Sequence, residues 1–268
     1  MELKNKRIIL TGATGGIGKH IALLLARKGA HLALVGRNAS NLEELANEIN
    51  NKGGNACTIV ADFELAGTAG KVAIQAHEKL GSIDILINNA AIMDFIRFED
   101  QSPERIAHMI QTNVTATIQL ANAVLPQFKA VGHGHFVMIG SILGSLGFPY
   151  YATYCASKFA VHGFSQALRR ELVDTDIGVT YIAPRGVNTP LNDATTLAML
   201  AKTGGNLDEP EKIAAIVVKA LEQEKQEVFI GQPESFFAWL NGVAPKIVNI
   251  SLKKQARVAK SFAIRKLK

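Results

Sequence analysis

Thr11-Gly12-Ala13-Thr14-Gly15-Gly16-Ile17-Gly18 separates a short apolar run at residues 7–10 from a segment at 17–28 with helical spacing. In that segment Ile17, Ile21, Leu24 and Leu25 fall on one side, and Gly29 marks its stop. The position of the turn matters more than its letters. A glycine-rich turn leading from a strand into a helix lets backbone N–H groups and the positive helix end meet a pyrophosphate. Gly12, Gly16 and Gly18 put no side chain in the way. The competing reading is a tight strand–helix turn without a ligand; the strand–turn–helix setting favours the phosphate.

Outward from this turn the pattern keeps alternating. Apolar runs at 31–35, 56–61, 83–88, 135–139, 179–183 and 227–230 are separated by helical segments at 41–51, 66–80, 104–130, 155–174 and 210–223. Strands that are apolar throughout and alternate with helices predict an α/β fold. The expected architecture is a doubly wound, Rossmann-type parallel sheet of about seven strands with helices on both faces. Ligands of such sheets bind outside the carboxyl ends of the strands, where the strand order reverses. Residues 188–209 lack periodicity and read as a loop or lid over that crevice. The chain divides into a Rossmann-type catalytic domain, 1–234, and a basic C-terminal extension, 235–268. That extension is expected to pack on the domain, a partner subunit or a membrane surface.

The 268 residues suffice for one large core, and 48% apolar against 19% charged residues exclude a disordered chain. The longest apolar runs, 21–26 and 179–183, are too short to span a bilayer. Met1-Glu2-Leu3-Lys4-Asn5-Lys6 lacks the layout of a signal peptide, which leads to an expected cytosolic location. Cys57 and Cys155 have no metal-ligand spacing and read as free thiols, and no metal is expected. The net charge of +6 belongs to the end of the chain: 246–268 holds eight basic residues and no acid, leaving 21 basic against 23 acidic residues elsewhere. Leu252, Ala256, Ala259, Ala263 and Leu267 fall on one helical face there, Lys253, Arg257, Lys260 and Lys268 on another, and Phe236, Phe237, Trp239 and Leu240 precede them. Pro245 breaks any continuous helix. A basic amphipathic helix of this kind suits an anionic membrane surface, a partner subunit or its own domain. The basic part lacks interleaved aromatics, so no nucleic-acid partner is expected.

Tyr154-Cys155-Ala156-Ser157-Lys158 sets a phenol and an ammonium four residues apart, on one face of a helix. Tyrosine, with an ordinary pKa of about 10, is a poor acid or base at neutral pH, and a nearby ammonium favours the phenolate. Together with the TGxxxGIG spacing of the turn, this pair resembles the short-chain dehydrogenase/reductase family in its compact single-domain branch. Five segments agree in order over about residues 5–232.

The resemblance implies a hydride transfer between a nicotinamide cofactor and a carbonyl or alcohol carbon. Tyr154 would act as general acid or base, Ser141 would hydrogen-bond the substrate oxygen, Lys158 would hold the ribose and tune Tyr154, and Asn113 would position a proton-relay water. Cofactor contacts would come from Gly12, Thr14, Gly16, Ile17 and Gly18, from Asp62 beside the adenine, from Asn89 and Ala90, and from Pro184, Val187 and Thr189, with Tyr154 and Lys158. Gly36-Arg37 ends the second strand where NAD enzymes carry an acid, and a guanidinium there matches a 2′-phosphate, so NADP(H) is expected. Two positions depart from the family pattern: Ala91 replaces the last glycine of an NNAG segment, and Arg185 replaces a glycine in PGxVxT. A homo-oligomer, dimer or tetramer, is expected. The leading reading is an NADPH-dependent carbonyl reductase, equally an alcohol dehydrogenase when run in reverse. The alternative is a non-catalytic NADP(H)-sensing module on the same fold. Leu191, Leu197, Met199 and Leu200 in the lid point to an apolar small-molecule substrate, a lipid or a 3-oxoacyl compound.

Overall fold

The structure is a computed structural model that describes residues 1–263. Leu267 and Lys268, named above for the tail, and the basic residues Arg265 and Lys266 lie outside the described residues. Seven parallel strands form one sheet in the order β3-β2-β1-β4-β5-β6-β7. They are β1 (Arg7–Thr11), β2 (His31–Gly36), β3 (Asn55–Val60), β4 (Ile85–Asn88), β5 (His133–Ile139), β6 (Asp176–Pro184) and β7 (Glu227–Ile230). The order reverses between β1 and β4, so the carboxyl ends of these strands open onto one crevice.

The central strands are mostly apolar because both faces of the sheet are covered there. In β1, Ile8 and Leu10 enter the core on one face and Ile9 the core on the other. In β5, Val137 and Ile139 alternate in the same way with Phe136 and Met138. One face is closed by α1 (Gly16–Arg27), α2 (Ala39–Asn51) and α8 (Pro210–Glu222). The other is closed by α3 (Thr68–Leu80), α5 (Ala116–Val131) and α6 (Ala152–Glu171). β6 runs beyond the apolar stretch 179–183 at both ends. Backbone pairing with β5 continues to His133↔Asp176, a position that hydropathy does not mark.

The expected helix over 104–130 is two helices. α4 (Pro103–Ile110) and α5 flank a π-helical turn, Gln111–Thr115, with Asn113 at its centre. Such an insertion widens the helix locally and re-aims one side chain. The expected loop at 188–209 is also corrected, because α7 (Ala194–Thr203) lies within it. The Asp193 side chain accepts a hydrogen bond from Thr196 N (2.7 Å) at its start, and Gly204 ends it. Only Thr196 and Met199 of α7 are fully buried, too few to show a period in the sequence.

After β7 come α9 (Glu234–Val243) and α10 (Pro245–Ala263), with the break at the expected proline. α10 packs on α7 and α9. Val248, Ala259 and Ala263 are buried. Among the described residues no helix is long and apolar enough to cross a membrane.

Candidate active site

The glycine turn is held from two sides. Gly12 has φ +62, and a side chain there would press on Ala90 Cα (2.9 Å) and Asn89 Nδ2 (2.9 Å). A methyl on Gly18 would collide with the Gly12 carbonyl, and one on Gly16 with the Thr189 side chain. The glycines therefore serve close packing as well as ligand access. Asn89 locks the turn to the end of β4. Its Nδ2 donates to Thr11 O (3.1 Å) and Gly12 O (3.0 Å). The backbone N–H groups of Asn89 (2.9 Å) and Ala90 (3.0 Å) both donate to Thr11 Oγ1. Thr11 was not among the expected site residues. The signal lay in the turn itself, as a lone hydroxyl ending an apolar strand.

Helix α1 opens with Ile17 in its first turn, with no capping side chain and no acid there. Its leading N–H groups have no partner within the helix, and the dipole favours an anion in front of them. Thr14 Oγ1 lies beside Gly36 at the end of β2. Arg37 follows, exposed and in no ion pair among the described residues. Asp62 is half-buried after β3, and its Oδ1 accepts from Glu64 N (3.1 Å).

The expected catalytic residues meet at the carboxyl end of β5. Tyr154 and Lys158 lie on α6, both buried, with Nζ 5.7 Å from the phenol ring centroid. Lys158 Nζ donates to Ile139 O, the last carbonyl of β5 (2.9 Å). Ser141 follows β5, and its Oγ accepts from Leu143 N (3.1 Å). Burial pushes the Tyr154 phenol well above the usual tyrosine range, and a hydrogen bond with Ser141 draws it back in part. The expected lowering by Lys158 does not prevail. The ammonium is itself buried, which brings its own pKa down to about 8. Desolvation opposes both charges and is the leading cause of each shift.

Asn113 is fully engaged with protein. Its Oδ1 accepts from Ile92 N (2.8 Å), and its Nδ2 donates to Ile92 O (2.9 Å) and Ser157 Oγ (3.0 Å). Its own carbonyl accepts from Thr117 Oγ1 (3.0 Å). The side chain thus pins the segment after β4 against α6. A relay water at this point would depend on the second lone pairs of these oxygens.

Three further residues were not singled out from the sequence. Ser157, inside the Tyr154–Lys158 stretch, donates to Tyr154 O (2.7 Å). Tyr181 on β6 donates from its hydroxyl to Ser141 O (3.2 Å) and stacks on His162. Tyr151 is hydrogen-bonded to Thr196 of α7, and burial raises its pKa to about 12. Neither Tyr181 nor Tyr151 carries any local pattern.

Beyond β6, Pro184 ends the strand, and Val187 is buried and bridged to Asp208. Thr189 rests on Gly16, so this segment closes beside the glycine turn. Arg185 is largely withdrawn from solvent. It forms a fork with Asp208 through Nε (2.8 Å) and Nη2 (3.1 Å), and reaches Glu234 (3.1 Å). In front of Tyr154 the surroundings are apolar: Met109, Tyr151, Cys155, Met199 and Ala259 form one buried cluster with it, flanked by Phe95, Leu200 and Phe262. The tail helix α10 thereby contributes to the wall of the site. Cys57 and Cys155 are both free thiols.

The model of the family described as short chain dehydrogenase matches residues 6–199. Dehydrogenase/reductase SDR family member 7B of Bos taurus is 31% identical over 268 residues, which is 95% of this chain and 82% of that protein. The ketoacyl reductase HetN of a Nostoc species is 32% identical over 230 residues, 86% of this chain and 80% of that one. A solved short chain dehydrogenase from Burkholderia cenocepacia, in complex with NADP, matches with a TM-score of 0.80 and 26% identity, covering 88% of this chain and 100% of that one. A short chain dehydrogenase/reductase from Burkholderia phymatum, in complex with NAD, reaches a TM-score of 0.84 over 92% of this chain and 96% of that one. At 19% identity it speaks for the fold alone.

Proposed function

The chain belongs to the short-chain dehydrogenase/reductase family, an oxidoreductase family, and from that premise we propose that it transfers hydride between NADP(H) and a carbonyl or alcohol carbon, with Tyr154 as general acid or base. The observation that carries this reading is the convergence of Tyr154, Ser141 and Lys158 at the end of β5, in the crevice that also holds the glycine turn.

The residues present suit the dinucleotide. The first turn of α1 has neither a capping side chain nor an acid, and Gly12 adopts a backbone that keeps the turn open. For NADP(H) over NAD(H), the support is Arg37: it is exposed, and residues 36–40 contain no acid that would repel a 2′-phosphate. With the pyrophosphate at the glycine turn and the ribose at Lys158, the nicotinamide would supply or accept the hydride.

The side chains do the rest. Tyr154 Oη gives its proton to the substrate oxygen in reduction and takes it back in oxidation. The phenol is a weak acid in its buried setting, so proton transfer follows the growth of charge on that oxygen. Lys158, with its Nζ 5.7 Å from the ring, stabilises the phenolate left behind. The Ser141 hydroxyl donates to the same oxygen. The apolar cluster around Tyr154 supports an apolar carbonyl substrate of the lipid or 3-oxoacyl class.

Fluorescence titration tests the cofactor reading. A charge-assisted contact is worth roughly 1.5–3 kcal/mol, so NADPH should bind about ten- to a hundredfold more tightly than NADH. Arg37→Ala should abolish that preference, and equal dissociation constants in the unmodified protein would overturn the assignment. A panel of 3-oxoacyl, steroid and small aldehyde compounds, followed by NADPH absorbance, tests the substrate class. Tight NADPH binding with no turnover on any of them would favour the sensing module instead.

A further inference from the structure

Outside the site, the largest unexplained feature is the outer side of α9 and α10, two helices joined by Ala244 alone. Phe236, Trp239, Val243, Ile247 and Ile250 are each between 50% and 67% exposed. Phe236 and Trp239 lie against each other, with ring centroids 5.7 Å apart and planes tilted by 35°. On α10 the inward face is set by Val248, Ala259 and Ala263. Opposite them, at helical spacing, stand Lys246, Ile250, Lys253 and Arg257, with Ile247 and Lys254 beside them, all exposed. From residue 235 onward there is no acid to neutralise these cations, and none of them is in a described ion pair.

We propose that this face docks on an anionic lipid surface. The chemistry selects that partner. Exposed aromatic and branched aliphatic side chains interleaved with uncompensated lysines match hydrocarbon beneath anionic headgroups, which offers both in one layer. A second copy of the chain fits poorly, because a two-fold contact would press this patch, with its cations and no acid, against a second patch of the same charge. Nucleic acid would satisfy the charge but leave Val243, Ile247 and Ile250 unburied. The attachment is superficial, since no described helix is apolar enough to cross a bilayer. It also has a geometric consequence: the inner face of the same α10 lines the Tyr154 cluster through Ala259 and Phe262, so docking brings the apolar side of the site close to the membrane. The inference does not rest on the assignment of cofactor or substrate.

The chain has a single tryptophan, Trp239, so tryptophan emission, excited selectively over the tyrosines, reports on this face alone. The full chain, mixed with vesicles of phosphatidylcholine and phosphatidylglycerol at low salt, should show a blue-shifted emission and sediment with them. Neither effect should appear with phosphatidylcholine alone, and high salt should reverse both. Each basic residue near such a surface contributes about a fivefold gain in partitioning, so Lys253→Gln/Lys254→Gln/Arg257→Gln should weaken binding about a hundredfold. NADPH binding by that variant should be unchanged, which separates this test from any failure of the enzymatic reading. Absence of a shift with anionic vesicles overturns the proposal, as does salt-independent or equal binding to neutral vesicles. A shift that instead follows a concentration-dependent rise in mass without vesicles assigns the face to a copy-to-copy contact and also overturns it. Should the triple variant fail to fold, the salt and headgroup dependence of the unmodified chain decides by itself.

Discussion

Replacing Arg185 by alanine should destabilise the protein by about 3 kcal/mol, although the family pattern carries glycine at this position. Arg185 is 15% exposed and Asp208 5%, and two short bonds join them, Nε–Oδ2 at 2.8 Å and Nη2–Oδ1 at 3.1 Å. Nη1 adds contacts to Gln232 O (2.8 Å) and Glu234 Oε2 (3.1 Å). Removing one side of a buried pair costs about 3–5 kcal/mol, because the other charge stays buried. Lys212, 3.2 Å from Asp208 and largely exposed, compensates in part, which sets the expectation at the lower end. For a chain of this size that corresponds to a drop in Tm of about 6–12 °C. Hydrogen bonding from Arg185 is the main cause holding the Asp208 pKa below its ordinary value. The pair's contribution is therefore full above the unfolded pKa of about 3.9 and fades as pH falls through the folded value, so the gap between variant and parent should close in acid. Urea unfolding at pH 7 and again at about pH 2, below the window set by the lowered Asp208 pKa, measures both. NADPH affinity should fall as well, since Asp208 N bonds Gly186 O (2.9 Å) and Asn188 N bonds Asp208 O (2.9 Å), framing Val187. A loss below 0.5 kcal/mol would refute the reasoning. So would a double variant with Asp208→Ala whose loss equals the sum of the two single losses, since that would mean no coupling.

Asn89→Ala removes two hydrogen bonds to the glycine turn and should cost about 2 kcal/mol in thermal unfolding while weakening NADPH binding. His135, buried on β5 against Thr180, has its pKa lowered to about 4 by desolvation. The folded state holds it neutral, so its effect appears between the unfolded pKa of about 6.5 and 4: stability should fall by about 3 kcal/mol as pH drops through that window, and His135→Gln should flatten the slope in pH-dependent unfolding. Phe262→Ala on α10 opens the cluster beside Tyr154 and should shift kcat/KM toward bulkier apolar carbonyl compounds without changing NADPH affinity, as read from a substrate series.

The sheet was legible because its strands are buried on both faces. Ile8, Ile9 and Leu10 must all be apolar when alternate side chains meet two different cores, and β7 coincides with the run 227–230. The glycine turn and the Tyr154–Lys158 pair were legible because each is local. What escaped was whatever depends on contacts distant in sequence. The fork between Arg185 and Asp208 joins residues 23 apart in sequence, on either side of α7. Helix α7 buries only Thr196 and Met199 in full, so its period is too faint to see. The alanines of α10 that face the site carry little hydropathy signal, yet small side chains let that helix approach α7 closely. The elevated Tyr154 phenol escaped for a different reason: sequence shows the ammonium nearby but not the desolvation of both groups.

Single-turnover hydride transfer in Tyr154→Phe tests the central claim most directly. The ring still fills its place in the apolar cluster, so NADPH should bind as in the unmodified protein. General acid–base help is worth about a hundred- to ten-thousandfold, and the rate of NADPH oxidation with a carbonyl substrate that the parent reduces should fall by that factor. Intact binding with a collapsed rate is the result the account predicts. A variant that oxidises NADPH within a fewfold of the parent rate would contradict it and remove Tyr154 from the chemistry.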